Sequence, residues 1–198
     1  MSTLHRENSL YLVIITFIIA VRNIYLQIGD DIMSTPTILP VTADEDIQSV
    51  AALANEIWHE HYVPIIGEAQ VNYMVEKFQS FPAICNQIQN DAYEYFKILS
   101  DEILAGYIGV QVLEDSLFLS KLYIKKDCRG QGLSRHAIEF LKGICKELGL
   151  HRIRLTCNIH NHNSLAAYDR LGFKITDSVV GDIGYGFVMD DYILELEM

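Results

Sequence analysis

From residue 37 onward the apolar residues of this chain switch between two periods, and each switch marks a new element. Thr37–Val41 is a short apolar segment that reads as an opening strand. Thr42-x-x-Glu45 then has the form of a capping box, in which two side chains satisfy backbone amides at a helix start. Ile47, Val50, Ala51, Ala54, Ile57 and Trp58 recur at helical spacing and predict a first amphipathic helix, broken at Pro64 and Gly67. Val71, Met74, Val75 and Phe78 repeat at i, i+3, i+4 and i+7 and predict a second helix, with Pro82 ending the region.

The period then shortens. Tyr93–Leu99, Ile103–Val112 and Leu117–Ile124 are rich in aromatic and aliphatic residues, separated by Ser100-Asp101-Glu102 and Glu114-Asp115-Ser116. Each break is long enough for a hairpin turn, so the stretch predicts an antiparallel meander. Leu133, Ala137, Leu141, Ile144 and Leu148 trace a long helix that Gly149 stops. Ile153, Leu155 and Cys157 alternate with Arg152, Arg154 and Thr156, a half-buried strand. A short helix from Asn163 to Leu171 ends at Gly172, and strands near Phe173–Val180 and Gly186–Glu195 complete the chain. The expected fold is one α/β domain over residues 35–198, a mixed sheet flanked by helices.

Residues 1–34 form an apolar extension of a different character. Leu10–Val21 is uninterrupted by charge and stops at Arg22-Asn23. A bilayer span needs about 20 apolar residues, so the run is short for one unless Arg22 snorkels. A signal peptide fits its length, but His5, Arg6 and Glu7 make no positive cluster and no A-x-A site follows. A third reading, the one favoured here, starts translation at Met33, after which a whole domain remains.

Composition narrows the function. Half of the 198 residues are hydrophobic and 21% are charged, as in ordinary globular proteins. A net charge of −11 argues against a nucleic-acid surface and suits attraction of cations such as amines. Cys85, Cys128, Cys145 and Cys157 contain no C-x-x-C pair, so reduced thiols in a cytoplasmic protein are expected.

The chemistry concentrates after the third strand of the meander. Lys125-Lys126-Asp127-Cys128-Arg129-Gly130-Gln131-Gly132-Leu133-Ser134 joins that strand to the long helix. Two glycines let backbone amides turn toward one point, and the helix start adds unpaired N–H groups and its dipole. This is a socket for a pyrophosphate. Walker A spacing is absent, and Gly130-Gln131-Gly132 is followed by Leu133-Ser134-Arg135, which fails the dinucleotide pattern.

Arg129-x-x-Gly132-x-Ser134 resembles the R/Q-x-x-G-x-G/A signature of the GCN5-related N-acetyltransferases, with serine in the last place. Asn163 to Phe173, which reads N-x-x-A-x-Y-x-x-x-G-F, is similar to the same family's N-x-x-A-x-x-x-Y-x-x-x-G-F region with a shorter spacer before the tyrosine. The resemblance implies a sheet whose fourth and fifth strands splay apart around the pantetheine arm of acetyl-coenzyme A. It implies backbone pairing of that arm near Leu122, Tyr123 and Ile124, and a pyrophosphate on Arg129, Gly130, Gln131, Gly132, Leu133 and Ser134. It also implies that the Leu122 amide stabilises the oxyanion, that Tyr168 protonates the departing thiolate, and that Asn163 holds the cofactor. The implied reaction is N-acetylation of a primary amine by direct attack on the thioester; a non-catalytic acyl-CoA-binding module is the alternative.

Each residue also has a plainer reading. The glycines can form a mere tight connection, Tyr168 can be core packing, and Arg129 a solvated charge. The fourth strand, Ser116 to Lys121, lacks the glutamate that some members use as base. A water chain ending at Glu56, Glu60 or Glu68 is the expectation. His59 and His61 are i and i+2 on a helix and face apart, and His160 and His162 lack further ligands at fixed spacing, so no metal site is expected. Trp58, His59, Glu60, His61, Tyr62 and Glu68 together suit a cationic amine, whether a small molecule, an amino acid or a protein amine. No nucleic acid or membrane partner is expected. A homodimer involving the strand Phe187–Leu196 is open.

Overall fold

The computed structural model describes residues 36–198. The apolar run Leu10–Val21 and the candidate start at Met33 lie outside the described residues. In chain order the elements are β1 (Thr37–Pro40), α1 (Asp44–Ile66), α2 (Glu68–Gln79), α3 (Phe81–Asn90), β2 (Tyr93–Ser100), β3 (Ile103–Val112), β4 (Leu117–Ile124), α4 (Leu133–Leu148), β5 (Arg152–Asn158), α5 (His162–Arg170), β6 (Lys174–Gly184) and β7 (Phe187–Glu197). Among the described residues no helix is long and apolar enough to cross a membrane.

The strands form one seven-stranded sheet in the order β1-β2-β3-β4-β5-β7-β6. Neighbours are antiparallel except β4 and β5, which run parallel. That parallel pair is registered only at Leu117 with Ile153 and Phe118 with Arg154. Beyond it the two strands separate, so the expected splay is present. On one face α4 buries Ala137, Ile138, Leu141 and Ile144 against Ile108, Val110, Leu155 and Leu194. On the other, α1 and α3 pack Val50, Ala54, Ile57 and Ile84 on Tyr95 and Tyr107. A third cluster of Trp58, Val71 and Met74 joins α1 to α2.

Three local expectations need correction. Pro82 starts a helix rather than ending one, for α3 holds it in its first turn, where a missing N–H costs nothing. Ser80 caps that helix by accepting from the Ala83 N–H at 3.4 Å. The start of α1 uses Asp46, not Glu45: its carboxylate accepts from the Thr42 and Ala43 amides at 3.3 and 3.5 Å. Pro64 lies inside α1, and the chain breaks only at Gly67, whose φ of 82° is open to glycine. Strand β7 is paired on both sides, by β5 and β6, so the free edge at this end of the sheet is β6. That strand exposes Ile175, Val179 and Val180.

Candidate active site

The gap between β4 and β5 is lined on one side by β4 backbone, whose direction is set by its pairing with β3. The Lys125 N–H donates to Ala105 O at 2.8 Å, so Lys125 faces β3. Hydrogen bonding alternates along an antiparallel strand. Tyr123 and Lys121 therefore also give their backbone groups to β3, while those of Leu122 and Ile124 point into the gap. The Ile124 carbonyl is partly used, since Arg129 Nε donates to it at 3.0 Å. Leu122 N–H and C=O are thus the free peptide groups at the centre of the splay. Tyr123 contributes its ring instead of its backbone, within a tyrosine and tryptophan cluster. Trp58 stacks on Tyr62 at 4.5 Å, and Tyr123 lies 5.3 Å from Tyr107.

At the end of β4 the chain makes a 3-10 turn over Lys126–Cys128 and enters α4. Gly130 and Gly132 have φ of 79° and 83°, a region that side chains disfavour, and Gly132 is the N-cap of α4. The first bond within α4 runs from the His136 N–H to Gly132 O at 3.0 Å. The Leu133, Ser134 and Arg135 amides that precede it have no intrahelical acceptor and face the start of the dipole. Gln131 Nε2 ties the loop to Asp127 O at 3.1 Å. Backbone donors, a dipole and nearby cations fit a pyrophosphate group.

One cleft of about 1260 Å³ joins these features, lined by Leu122, Gly132, Ser134, Asn163, Tyr168 and Asp191 among others. Of the residues singled out in the sequence, Gln131 alone among the loop's central positions points elsewhere. Arg129 lines the cleft, but its Nη2 donates to Glu60 Oε2 at 2.8 Å, which fastens the loop to α1. Glu60 also pairs with Lys126 at 3.4 Å, and Glu56 with Lys125 at 3.3 Å. Burial raises the Glu60 carboxyl but is outweighed by Arg129 and Lys126, which hold it low. Neither glutamate lines the cleft, and Glu68 heads α2 on the surface, so the water-chain base has no support here.

Tyr168 is half-buried on α5 with its ring against Phe173 at 5.4 Å. Burial, followed by Cys157 and Tyr62, raises its phenol well above the ordinary value, so it stays protonated. Burial, with Asp191 adding, pushes the Cys157 thiol up to about 12. A protonated thiol is a poor nucleophile. Asn163 is exposed at the start of α5, while its neighbour Asn161 is buried. Asn161 Oδ1 takes hydrogen bonds from the Ser164 N–H at 3.3 Å and His61 Nε2 at 3.1 Å, and Asn161 Nδ2 donates to Tyr62 at 3.4 Å. Its position before a short helix was the available signal. His59 takes different partners, Asn55 O and Asn72.

Three further polar residues of the cleft escaped the sequence reading. Arg135 and Arg170 are exposed cations at its rim and make no ion pair among the described residues. Lys121 is 5% exposed, bonded to Gln87 Oε1 at 2.9 Å and Ser120 Oγ at 3.2 Å, and lies 4.6 Å from the Tyr93 ring. Its hydrophobic neighbours hid it, since a lysine within an apolar strand reads as an outward charge.

A mixed sheet splayed between its fourth and fifth strands, with a glycine loop and helix start at the mouth, defines an acyl-coenzyme A cleft. The Acetyltransferase (GNAT) family model matches residues 51–173, and the chain belongs to that family, whose co-substrate is acetyl-coenzyme A. A ribosomal protein bS18-alanine N-acetyltransferase of Bacillus subtilis (strain 168), itself a provisional assignment, is 29% identical over 87 residues, 44% of this chain. The match spans 58% of that relative's length. The crystal structure of PaiA N-acetyltransferase from Thermoplasma acidophilum, in complex with coenzyme A, superposes with a TM-score of 0.70 at 20% identity. It covers 83% of this chain and 99% of its own. Spermidine N-acetyltransferase from Vibrio cholerae, with CoA and spermine, gives 0.58 at 18% identity, over 82% and 95% of the two chains.

Proposed function

We propose that the chain is an N-acetyltransferase that moves an acetyl group from acetyl-coenzyme A to a primary amine. The observation that carries this reading is the backbone of Leu122, turned away from β3 toward the splay and followed, after the 3-10 turn and the glycine loop, by the amide-rich start of α4. A thioester oxygen against the Leu122 N–H is stabilised as negative charge develops on it. Gly130, Gly132, Leu133 and Ser134 hold the pyrophosphate, with Arg135 and Arg170 supplying charge at the rim. Tyr168 enters the reaction with its proton and donates it toward sulfur as the C–S bond breaks. Burial that keeps the Cys157 thiol protonated disfavours an acyl-enzyme through that residue and is consistent with direct attack by the amine.

The acceptor is a small cationic amine, an amino acid or a protein amine. The relatives named for ribosomal alanine and for spermidine both act on primary amines, which supports this class without choosing within it. The cytoplasm is the proposed compartment. Titration with acetyl-coenzyme A, followed by an amine screen for thiol release, tests the reading. Tyr168→Phe should keep coenzyme binding and lose about 10²-fold in turnover. A folded sample that binds no acetyl-coenzyme A refutes the reading, and binding without turnover across the amines leaves a non-catalytic acyl-coenzyme A module.

A further inference from the structure

Asp191 has no part in the chemistry above, yet its position is unusual for a carboxylate. On β7 it is registered against Asn158 of β5, and residues directly opposed share a face of the sheet. The flanking pairs Leu155–Leu194 and Cys157–Tyr192 belong to the α4 side, where Leu155, Cys157 and Leu194 enter the core. Asp191 therefore faces α1 and α2. Pairing of β4 with β5 ends at Arg154, so Asn158 borders the gap and Asp191 stands one strand, about 5 Å, behind it. It lines the cleft together with Tyr62, Met74, Ile183 and Met189.

Its Oδ1 is buried and accepts no hydrogen bond. Buried carboxylate oxygens are normally met by donors, because leaving one bare forfeits its hydration without return. Burial pushes the Asp191 carboxyl up to about 6, and Asp190 adds to this against the Asn158 and Thr156 side chains. At neutral pH it remains mostly ionised. Among the described residues Asp191 is in no ion pair: Lys125, Lys126 and Arg129 are paired with Glu56 and Glu60, Lys121 lies against Gln87, and Arg135 and Arg170 stand at the rim of the cleft.

We propose that Asp191 is the receptor for the ammonium group of the acceptor, an aliphatic primary amine whose methylene stem lies along Tyr62, Met74 and Met189. This rests on the acetyltransferase reading. The bare Oδ1 accepts an N–H of the ammonium, and takes a proton from it as the amine is freed to attack. The C–N bond forms as the C–S bond breaks. Of the two protons the nitrogen loses, one replaces the proton that Tyr168 gives to the thiol sulfur and the other passes from Asp191 to water. The titratable groups that interact with Asp191 are Asp190 beside it, Tyr62 from α1 and, across the plane of the sheet, Cys157 next to Asn158 on β5.

The test is calorimetric titration of the coenzyme A-loaded protein with n-butylamine and 1,4-diaminobutane, with 1-butanol as the uncharged control. Wild type should bind the amines and not the alcohol. Asp191→Asn should bind them at least tenfold more weakly while its coenzyme A affinity is unchanged, and Asp190→Asn should behave as wild type. Equal amine affinity in wild type and Asp191→Asn, or no amine binding to the loaded protein, overturns the assignment. Failure to bind coenzyme A in the first place refutes instead the acetyltransferase reading on which it rests.

Discussion

His61 donates from Nε2 to Asn161 Oδ1 at 3.1 Å, joining the first helix to the cap of the last across 100 residues of sequence. The same oxygen caps α5, which carries Tyr168, so one buried amide sets how that helix meets α1. Asn161→Ala removes the cap and leaves His61 and Tyr62 short of a partner. The expected loss is about 2 kcal/mol, from roughly 1 for the cap and 1 for the orphaned groups. For a domain of this size that lowers Tm by about 4–8 °C in a thermal melt. Asn163→Ala, at an exposed position, should stay within about 0.5 kcal/mol of wild type. A larger effect at Asn163 than at Asn161 would reverse the roles given to them.

Gly106 and Gly132 are both required, for different reasons. A Cβ at Gly106 would lie 2.5 Å from Tyr123 O, a backbone atom that cannot give way without pulling β4 from β3. At Gly132 a Cβ meets nothing within 4 Å, and only the φ of 83° opposes it. Gly132→Ala should therefore cost about 1–2 kcal/mol and fold normally. Its coenzyme affinity should fall, since relief of the strain turns the loop amides away. Gly106→Ala should cost several-fold more in a denaturant titration.

The order of elements was legible because each has a clean period, from the helical spacing of α1 to the alternation of β5. The glycine loop was legible because φ above zero restricts residue choice. Helix α3 was not, since Pro82 is as much a first-turn residue as a terminator and only Ser80 hinted which. Asn161, Lys121 and Asp191 were hidden for a common reason. Their meaning comes from strands and helices distant in sequence, and only Asn161, standing before a short helix, carries any local signal. Asp191 in Met189-Asp190-Asp191-Tyr192 reads as a surface acid until β5 is set against β7.

Asp46 joins the start of α1 to β2 by pairing with Lys97. Lys97 is the main cause holding its carboxyl below the usual range, against burial and with the Thr42 and Ala43 amides adding. Its stabilisation is therefore whole above about pH 4, the ordinary carboxylate value, and is lost as pH falls through the lower native one. Asp46→Ala should cost about 1–2 kcal/mol at pH 7 in a urea titration. The gap from wild type should narrow below pH 4; a gap that stays constant to pH 2 would exclude the charge as its source.

Lys121 makes the opposite electrostatic prediction. Burial lowers its amine from 10.5 to about 7, and no carboxylate is paired with it among the described residues. Gly109 across the ladder leaves room for the stem, since a Cβ there would come within 3.0 Å of Lys121 Cδ. Between pH 7 and 10.5 the unfolded chain binds a proton that the native state does not, so this residue makes stability rise with pH across that window. The slope approaches about 1.4 kcal/mol per pH unit at most. Below pH 7 the penalty is complete and the slope vanishes. Buried thiols such as Cys145, pushed by burial up to about 12, oppose the trend at the upper end, so the difference between proteins is the useful quantity. Lys121→Met should remove the rise, and at pH 6 should equal or exceed wild type in stability despite losing the bond to Gln87. Parallel pH profiles for the two proteins in urea would mean that Lys121 keeps its proton in the fold.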